Sequence, residues 1–150
     1  MDRAALDVAL TRGLPCGGWC PRTRSAEDGP IDPRYPLQQT TDEDPAVRTR
    51  LNVRDSHGTL IISRGVPTGG TRLAEQTARA LGRPVLHVDP DEGSITAATR
   101  RLQAWVDRSD IAILNVAGPR ESEQPGIGAY AAALLDQLLG RGHDRGPSPL

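Results

Sequence analysis

The stretch GVPTGGTRLAEQTARALG, Gly65 to Gly82, holds the residues whose types and spacing say most about chemistry. Gly69 and Gly70 stand side by side between Thr68 and Thr71, directly after the apolar run GTLIIS and its sequel Arg64 and Gly65. Adjacent glycines let a ligand approach the backbone without meeting a side chain. A helix that starts there turns unpaired N–H groups toward an anion, and the two threonines can add hydroxyls. Glu75 follows Thr71 by about one helical turn and can reach a polar edge such as a ribose or a pterin. The same residues also describe a plain strand-to-helix turn closed by a threonine cap, and their types alone leave both readings open.

A second group lies in NVAGPRESEQPG, leaving an apolar run at Asn115. Gly118 and Pro119 shape a turn, Arg120 offers a two-pronged donor for an oxyanion, and Glu121 and Ser122 add polar groups before a helix. Read plainly, this is a charged surface loop. A third group, GGWCPRTRSAEDG, offers Trp19 as a ring to stack on a flat ligand, with Arg22, Arg24, Glu27 and Asp28 as charges. Trp19 serves equally well as a packed aromatic, and Glu27 and Asp28 as a solvated acidic turn. No Ser-His-Asp pattern, GxGxxG fingerprint or Walker-type phosphate loop is legible. Cys16 and Cys20 have no histidine at ligand spacing, so they are expected to be simple thiols.

The elements that must position these groups follow from hydrophobic patterning. Three nearly continuous runs, Gly58 to Ser63, Pro84 to Asp89 and Asp110 to Val116, suit parallel strands covered on both faces. Between and after them, Thr71 to Leu81, Ser94 to Arg108 and Pro125 to Leu139 carry apolar stripes at helical spacing. Ser94 is expected as an N-cap, and Gly82 and Gly140 as stops. The alternation predicts an α/β Rossmann-like three-layer sandwich on a mostly parallel sheet. In such a sheet ligands bind beyond the carboxyl ends of the strands, so the first two loops are expected to converge on one edge. A short strand is expected near Gly17 to Cys20, inside a stretch dense in glycine, proline and charge.

At 150 residues the chain is expected to form one ligand-binding domain over 1–140, with a frayed, disordered tail over 141–150. The net charge is -1 with both signs dispersed, which does not suit a nucleic-acid or anionic-membrane partner. No apolar stretch is long enough to span a membrane or serve as a signal peptide, and a cytoplasmic protein is expected. All 18 basic residues are arginine. Base composition of the genome is the plain explanation, but the result supplies forked donors wherever an oxyanion must be held. The opening MDRAALDVAL begins directly inside a helix, where a doubly wound domain usually opens on a strand.

Several stretches together resemble the family of molybdenum cofactor carrier proteins and their bacterial relatives: DRAALDVAL, GGWCPRTRSAEDGPIDPRYPL, RTRLNVRDSHGTLIISRG, TGGTRLAEQTARALGRPVLHVD and AILNVAGPRESEQPGIG. The family belongs to a Rossmann-like superfamily similar to the cytokinin-activating phosphoribohydrolases, whose Gly-Gly-x-Gly-Thr-x-x-Glu motif TGGTRLAE matches in shortened form at Gly69, Gly70, Thr71 and Glu75. The resemblance implies molybdenum cofactor as a bound ligand, a homo-oligomer (tetramer or dimer), and no catalysis. It adds Asp2 and Arg3 to the candidate site, because relatives carry a strand and a glycine loop just ahead of the first helix. The first strand is therefore expected to be missing here, with the true start of translation lying upstream.

Two other functions remain on these residues. One is a nucleoside 5′-monophosphate phosphoribohydrolase-like enzyme, with Glu75 polarising the sugar and Arg120 on the phosphate. The other is a nucleotide-sensing module. The shortened glycine motif favours binding without turnover.

Overall fold

A computed structural model describes residues 2–13, 16–20, 25–26, 29–30, 36–39 and 44–144. Its central sheet has three parallel strands in the order β6-β5-β7, with β5 at Gly58–Ile62, β6 at Val85–Val88 and β7 at Leu114–Ala117. Every residue of β5 is buried, as its unbroken apolar run requires. The strand still divides its side chains by a period of two. Leu60 and Ile62 join Val88 in one core, while Ile61 joins Val53 in another.

Helices cover both faces. On the Leu60 side lie α1 (Asp2–Thr11), α4 (Ile95–Arg108) and α5 (Ile127–Asp144), which bring in Val8, Leu102, Trp105, Ile127, Leu134, Leu135 and Leu138. On the Ile61 side lie α2 (Pro45–Arg54) and α3 (Gly69–Ala80), through Val53, Ala74 and Ala78. The result is the expected α/β three-layer sandwich. Each large apolar side chain taken out of water here contributes about 1.5–3 kcal/mol toward the entropy cost of folding. Leu134, Leu135 and Leu138 all belong to the chain's own core.

Two short pairs stand apart from the main sheet. β1 (Gly18–Cys20) runs parallel to β4 (Leu37–Gln39), and β2 (Ser25–Ala26) pairs antiparallel with β3 (Gly29–Pro30). β1 is the short strand expected near Gly17. It packs against α2, close enough that a Cβ at Gly18, whose φ is +140°, would meet Asn52 Oδ1 at 2.9 Å.

The boundaries differ from expectation in three places, each with a physical reason. The run from Asp110 enters the sheet only at Leu114, because Asp110 turns with φ +54° and the N–H groups of Ala112 and Ile113 both donate to His57 Nδ1. Ile111 meanwhile folds under Gly58, where a Cβ would come within 2.5 Å of its Cδ1. Second, α5 continues through Gly140 to Asp144. Gly140 lies inside the helix rather than stopping it, and beside it Arg12, just past α1, bonds Asp136 Oδ1 at 2.9 Å. Third, α2 was not anticipated. Its start carries a legible signal, Asp44 accepting from Ala46 N at 3.0 Å with Pro45 in the first turn. Residues 145–150 lie outside the described part.

Candidate ligand-binding site

Because β5, β6 and β7 are parallel, the three loops that leave their carboxyl ends open on one edge of the sheet. These are 63–68 after β5, 89–94 after β6 and 118–126 after β7. The first and third were expected there. The second, beginning at Asp89, was not singled out from sequence.

The loop after β5 is the most open. Thr68, Gly69 and Gly70 are all exposed, whereas Thr71 is buried against the domain. Gly69 needs its residue type for the backbone, since its φ is +54°. Gly70 does not. Its φ is ordinary, and a Cβ built on either glycine would meet nothing within 4 Å. Thr68 occupies the N-cap of α3 in an extended conformation, yet its side chain makes no capping bond and the first turn holds no acidic residue. The threonine-cap reading of this turn therefore fails, and the first N–H groups of α3 face outward without a capping side chain.

Around that opening the three loops are tied together. Gln124 accepts from Arg64 N through Oε1 at 2.8 Å and donates to Arg64 O through Nε2 at 3.1 Å, so one side-chain amide takes both backbone groups of Arg64 as a neighbouring strand would. The Arg64 guanidinium donates to Pro125 O at 3.2 Å and lies 3.5 Å from Asp91. On the other side the carboxylate of Asp89 accepts from Gly65 N at 2.9 Å and from Asp91 N at 2.8 Å. The bond from Gly65, then that from Asp91, hold the Asp89 carboxyl below its ordinary range, and Arg64 and His87 add smaller contributions of the same sign. Gly65 and Arg64, both expected at the ligand, thus spend their backbone groups on joining loops.

Beneath the opening, Ser63 Oγ lies 3.0 Å from His87 Nε2, a spacing at which histidine can activate a serine. The same Nε2 also lies 3.0 Å from the carbonyl oxygen of Ser63, which can only accept. Nε2 therefore carries the proton and donates, while the serine hydroxyl donates to Gly65 O at 3.3 Å. The pair shapes the strand end and is not arranged as nucleophile and base. Burial pushes the Tyr130 phenol up, and the charge of Asp89 adds to the effect.

The loop after β7 fills its own needs. Both oxygens of Glu121 accept from Gly126 N, at 3.0 and 2.9 Å, which caps the approach to α5. Glu123 accepts from Arg120 N at 3.2 Å and lies 3.9 Å from the Arg120 guanidinium, which stays 71% exposed. Gly118 and Pro119 form the first step out of the strand, half-buried. Asn115 stands in register with Thr59, toward the other end of the sheet, and its amide bonds Thr59 Oγ1 at 3.3 Å. It does not reach the loop edge. Glu75 points along α3 toward Arg79, 3.8 Å away and one turn farther from the glycines.

Of the remaining candidates, Trp19 sits in β1 and Asp2 and Arg3 open α1, with their side chains outside the described part. Glu27 and Asp28 lie outside the described residues altogether. Cys16 is a free thiol. Among the described residues no helix is long and apolar enough to cross a membrane, and no three His, Cys, Asp or Glu side chains gather to hold a metal ion.

A crystal structure of a protein from Syntrophus aciditrophicus SB, described as a "Putative molybdenum carrier protein", is similar over nearly the whole chain. The two are 43% identical with a TM-score of 0.90, over 92% of this chain and 87% of that one. Among curated proteins none matches the chain. The pattern of one family spans residues 1–139 of the 150, and on that match the chain belongs to the circularly permutated YpsA SLOG family.

Proposed function

We propose that this protein is a non-catalytic binding or carrier protein for an anionic small molecule, seated over the start of α3: molybdenum cofactor, or a similar pterin or nucleotide-like ligand. The observation that carries the reading is Gly70. Inside a helix glycine costs about 0.5–1 kcal/mol relative to alanine, so it is not a residue that helix formation itself selects. Neither the φ of Gly70 nor any neighbour within 4 Å calls for one. The residue leaves bare backbone at a helix start that has no side-chain cap and no acid in its first turn, which is what a phosphate or similar oxyanion needs in order to approach closely. The exposed fork of Arg120, on the same edge, supplies a second contact to such an anion.

The carrier named for the similar protein agrees with this chemistry, because molybdenum cofactor has a phosphate tail and a flat pterin. The described residues would hold that cargo through its organic anion, with the backbone of Gly69, Gly70 and Thr71 on the phosphate. A cytoplasmic homo-oligomer is part of the same proposal.

Native mass spectrometry of the protein isolated from its own host, with bound small molecules released and identified, tests it. The expected result is an anionic pterin, with or without molybdenum, or a nucleoside phosphate, and the mass of the intact assembly reads the number of subunits. Protein that is empty at every preparation, while its helices remain folded, would overturn the reading.

A further inference from the structure

At the edge of the sheet opposite the glycine loop, one side chain holds a whole turn. Between α4 and β7, Ser109 N donates to Trp105 O at 3.0 Å and Ile111 N to Val106 O at 3.2 Å, so the end of α4 satisfies these two. The next two N–H groups, of Ala112 at 3.1 Å and Ile113 at 3.0 Å, both go to Nδ1 of His57. His57 N returns a bond to Ile113 O at 2.8 Å. All three bonds meet at one residue just ahead of β5, and they deliver the chain into β7 with Leu114 opposite Gly58.

What these bonds hold is not at rest by itself. Asp110 turns with φ +54°, a conformation that a residue with a Cβ keeps only when its surroundings fix it. Ile111 is tucked so close beneath that a Cβ at Gly58 would meet its Cδ1 at 2.5 Å and Trp105 Cη2 at 3.2 Å. Apart from Asp110, residues 110–113 have only apolar side chains, and that of Ile113 is 53% exposed. Val106, Asp107, Asp110, Ile111 and Ala112 wall an open cleft of about 360 Å³ beside the turn.

Nδ1 accepts only while it carries no proton, because both ring nitrogens of the imidazolium are donors. Protonation there takes the acceptor from two amides at once and sets a third N–H against them. His57 is exposed, so protons reach it from solvent, and histidine is the side chain that changes charge between about pH 5 and 8. The charged groups on the elements that meet here are Arg54 and Asp55 at the end of α2, paired at 2.8 Å, and Asp107 and Arg108 at the end of α4, where Asp107 accepts from Gln103. Asp110 stands in the turn itself, and Arg83, ahead of β6, donates to Ser56 O at 2.7 Å. Three acids and three arginines balance in number, and the two amide bonds are the contacts that only the neutral ring makes.

We infer that His57 is a proton-operated latch. With a neutral ring it keeps residues 110–113 closed over the end of α4; when the ring takes a proton the turn comes away, uncovers Ile111 and opens the cleft beside it, while the sheet stays folded. The latch lies at the edge away from the proposed anion site and does not depend on it.

Amide hydrogen exchange of the full chain between about pH 8 and 5, with the ring nitrogens of His57 followed in the same samples, tests the inference. In wild-type protein Ala112 and Ile113 are expected to lose at least about tenfold of their protection, corrected for the intrinsic pH dependence of exchange, at the midpoint where the His57 ring titrates, while Leu60 and Ile62 stay within about twofold. In His57→Asn, whose Oδ1 takes the place of Nδ1 and does not titrate, both amides stay protected across the range. In His57→Ala they are unprotected throughout. A ring that titrates with no change at Ala112 and Ile113, the same acid step in His57→Asn, or an equal loss at Leu60 and Ile62 overturns the latch. The wild-type comparison needs no variant, so a substitution that folds poorly does not spoil it.

Discussion

The loops after β5 and β7 start from the same position, the carboxyl edge of a parallel strand feeding a helix, and settle their polar groups in opposite ways. The approach to α5 is closed by its own acids: Glu121 takes Gly126 N and Glu123 takes Arg120 N. The start of α4 is likewise capped, Ser94 accepting from Ala97 N at 3.1 Å. The start of α3 has neither cap nor acid. An exposed helix end without a cap forgoes about 0.5–2 kcal/mol that Ser, Asp or Asn at the N-cap ordinarily supplies. The difference teaches where an anion from outside would be received, and which acidic residues belong to the scaffold.

Filling the open end from within should abolish the contrast, and it carries the largest expected effect. In Gly70→Asp a carboxylate stands in the first turn of α3, where it both blocks the backbone and supplies the missing charge. Affinity for a phosphate-bearing ligand is expected to drop about 100-fold, about 2.7 kcal/mol. Thermal stability should rise at the same time, by about 0.3–1 kcal/mol from the charge at the helix start. Titration and melting of one sample read both, and a loss of binding with a loss of stability would count against the account.

Gln124→Ala tests the tie between the two loops. It removes both bonds to Arg64 and leaves partly buried backbone groups unpaired, which costs about 2 kcal/mol and lowers Tm by roughly 4–8 °C. Next comes Glu121→Ala, which loses the bond to Gly126 for about 1 kcal/mol of stability. If Glu121 belongs to the scaffold, ligand affinity in this variant stays within about twofold of wild type. A fall of tenfold in a protein that still melts cooperatively would return Glu121 to the ligand.

The smallest effect is a pH dependence. The carboxyl of Asp89 titrates lower in the folded chain than in the unfolded one, chiefly because it accepts from Gly65 N and Asp91 N. Its contribution is therefore present above the ordinary carboxylate range and lost as pH falls through the folded value. Asp89→Asn should flatten the acid limb of the stability curve and leave it unchanged near pH 7 apart from a constant offset. An acid limb identical to wild type would show that these bonds have no part in it.

The strands and the long helices were legible because burial on both faces leaves unbroken apolar runs, and Gly58–Ile62 is the clearest case. The glycine pair and Arg120 stood out as candidates because few other residue types suit an oxyanion, and both open on the sheet edge where the anion is proposed to sit. Gln124 and Asp89 did not. Their roles arise from contacts across 60 and 24 positions of sequence, and nothing near either residue announces its partner. Asn115 was misplaced for a related reason. The loop was expected to leave the strand at Asn115, but His57, far away in sequence, holds Ala112 and Ile113 ahead of the strand, which then runs Leu114–Ala117 with Asn115 near its start. Gly140 misled as well, because α5 continues through it to Asp144.

The most direct test is a map of backbone amide shifts in wild-type protein and in Gly70→Asp as inorganic pyrophosphate is added. The account predicts the largest saturable shifts in the wild type at Gly69, Gly70 and Thr71, smaller ones at Arg120, and none at these positions in the variant. Shifts confined to the loop after β7, or the same shifts in both proteins, would contradict the assignment of the anion to the start of α3.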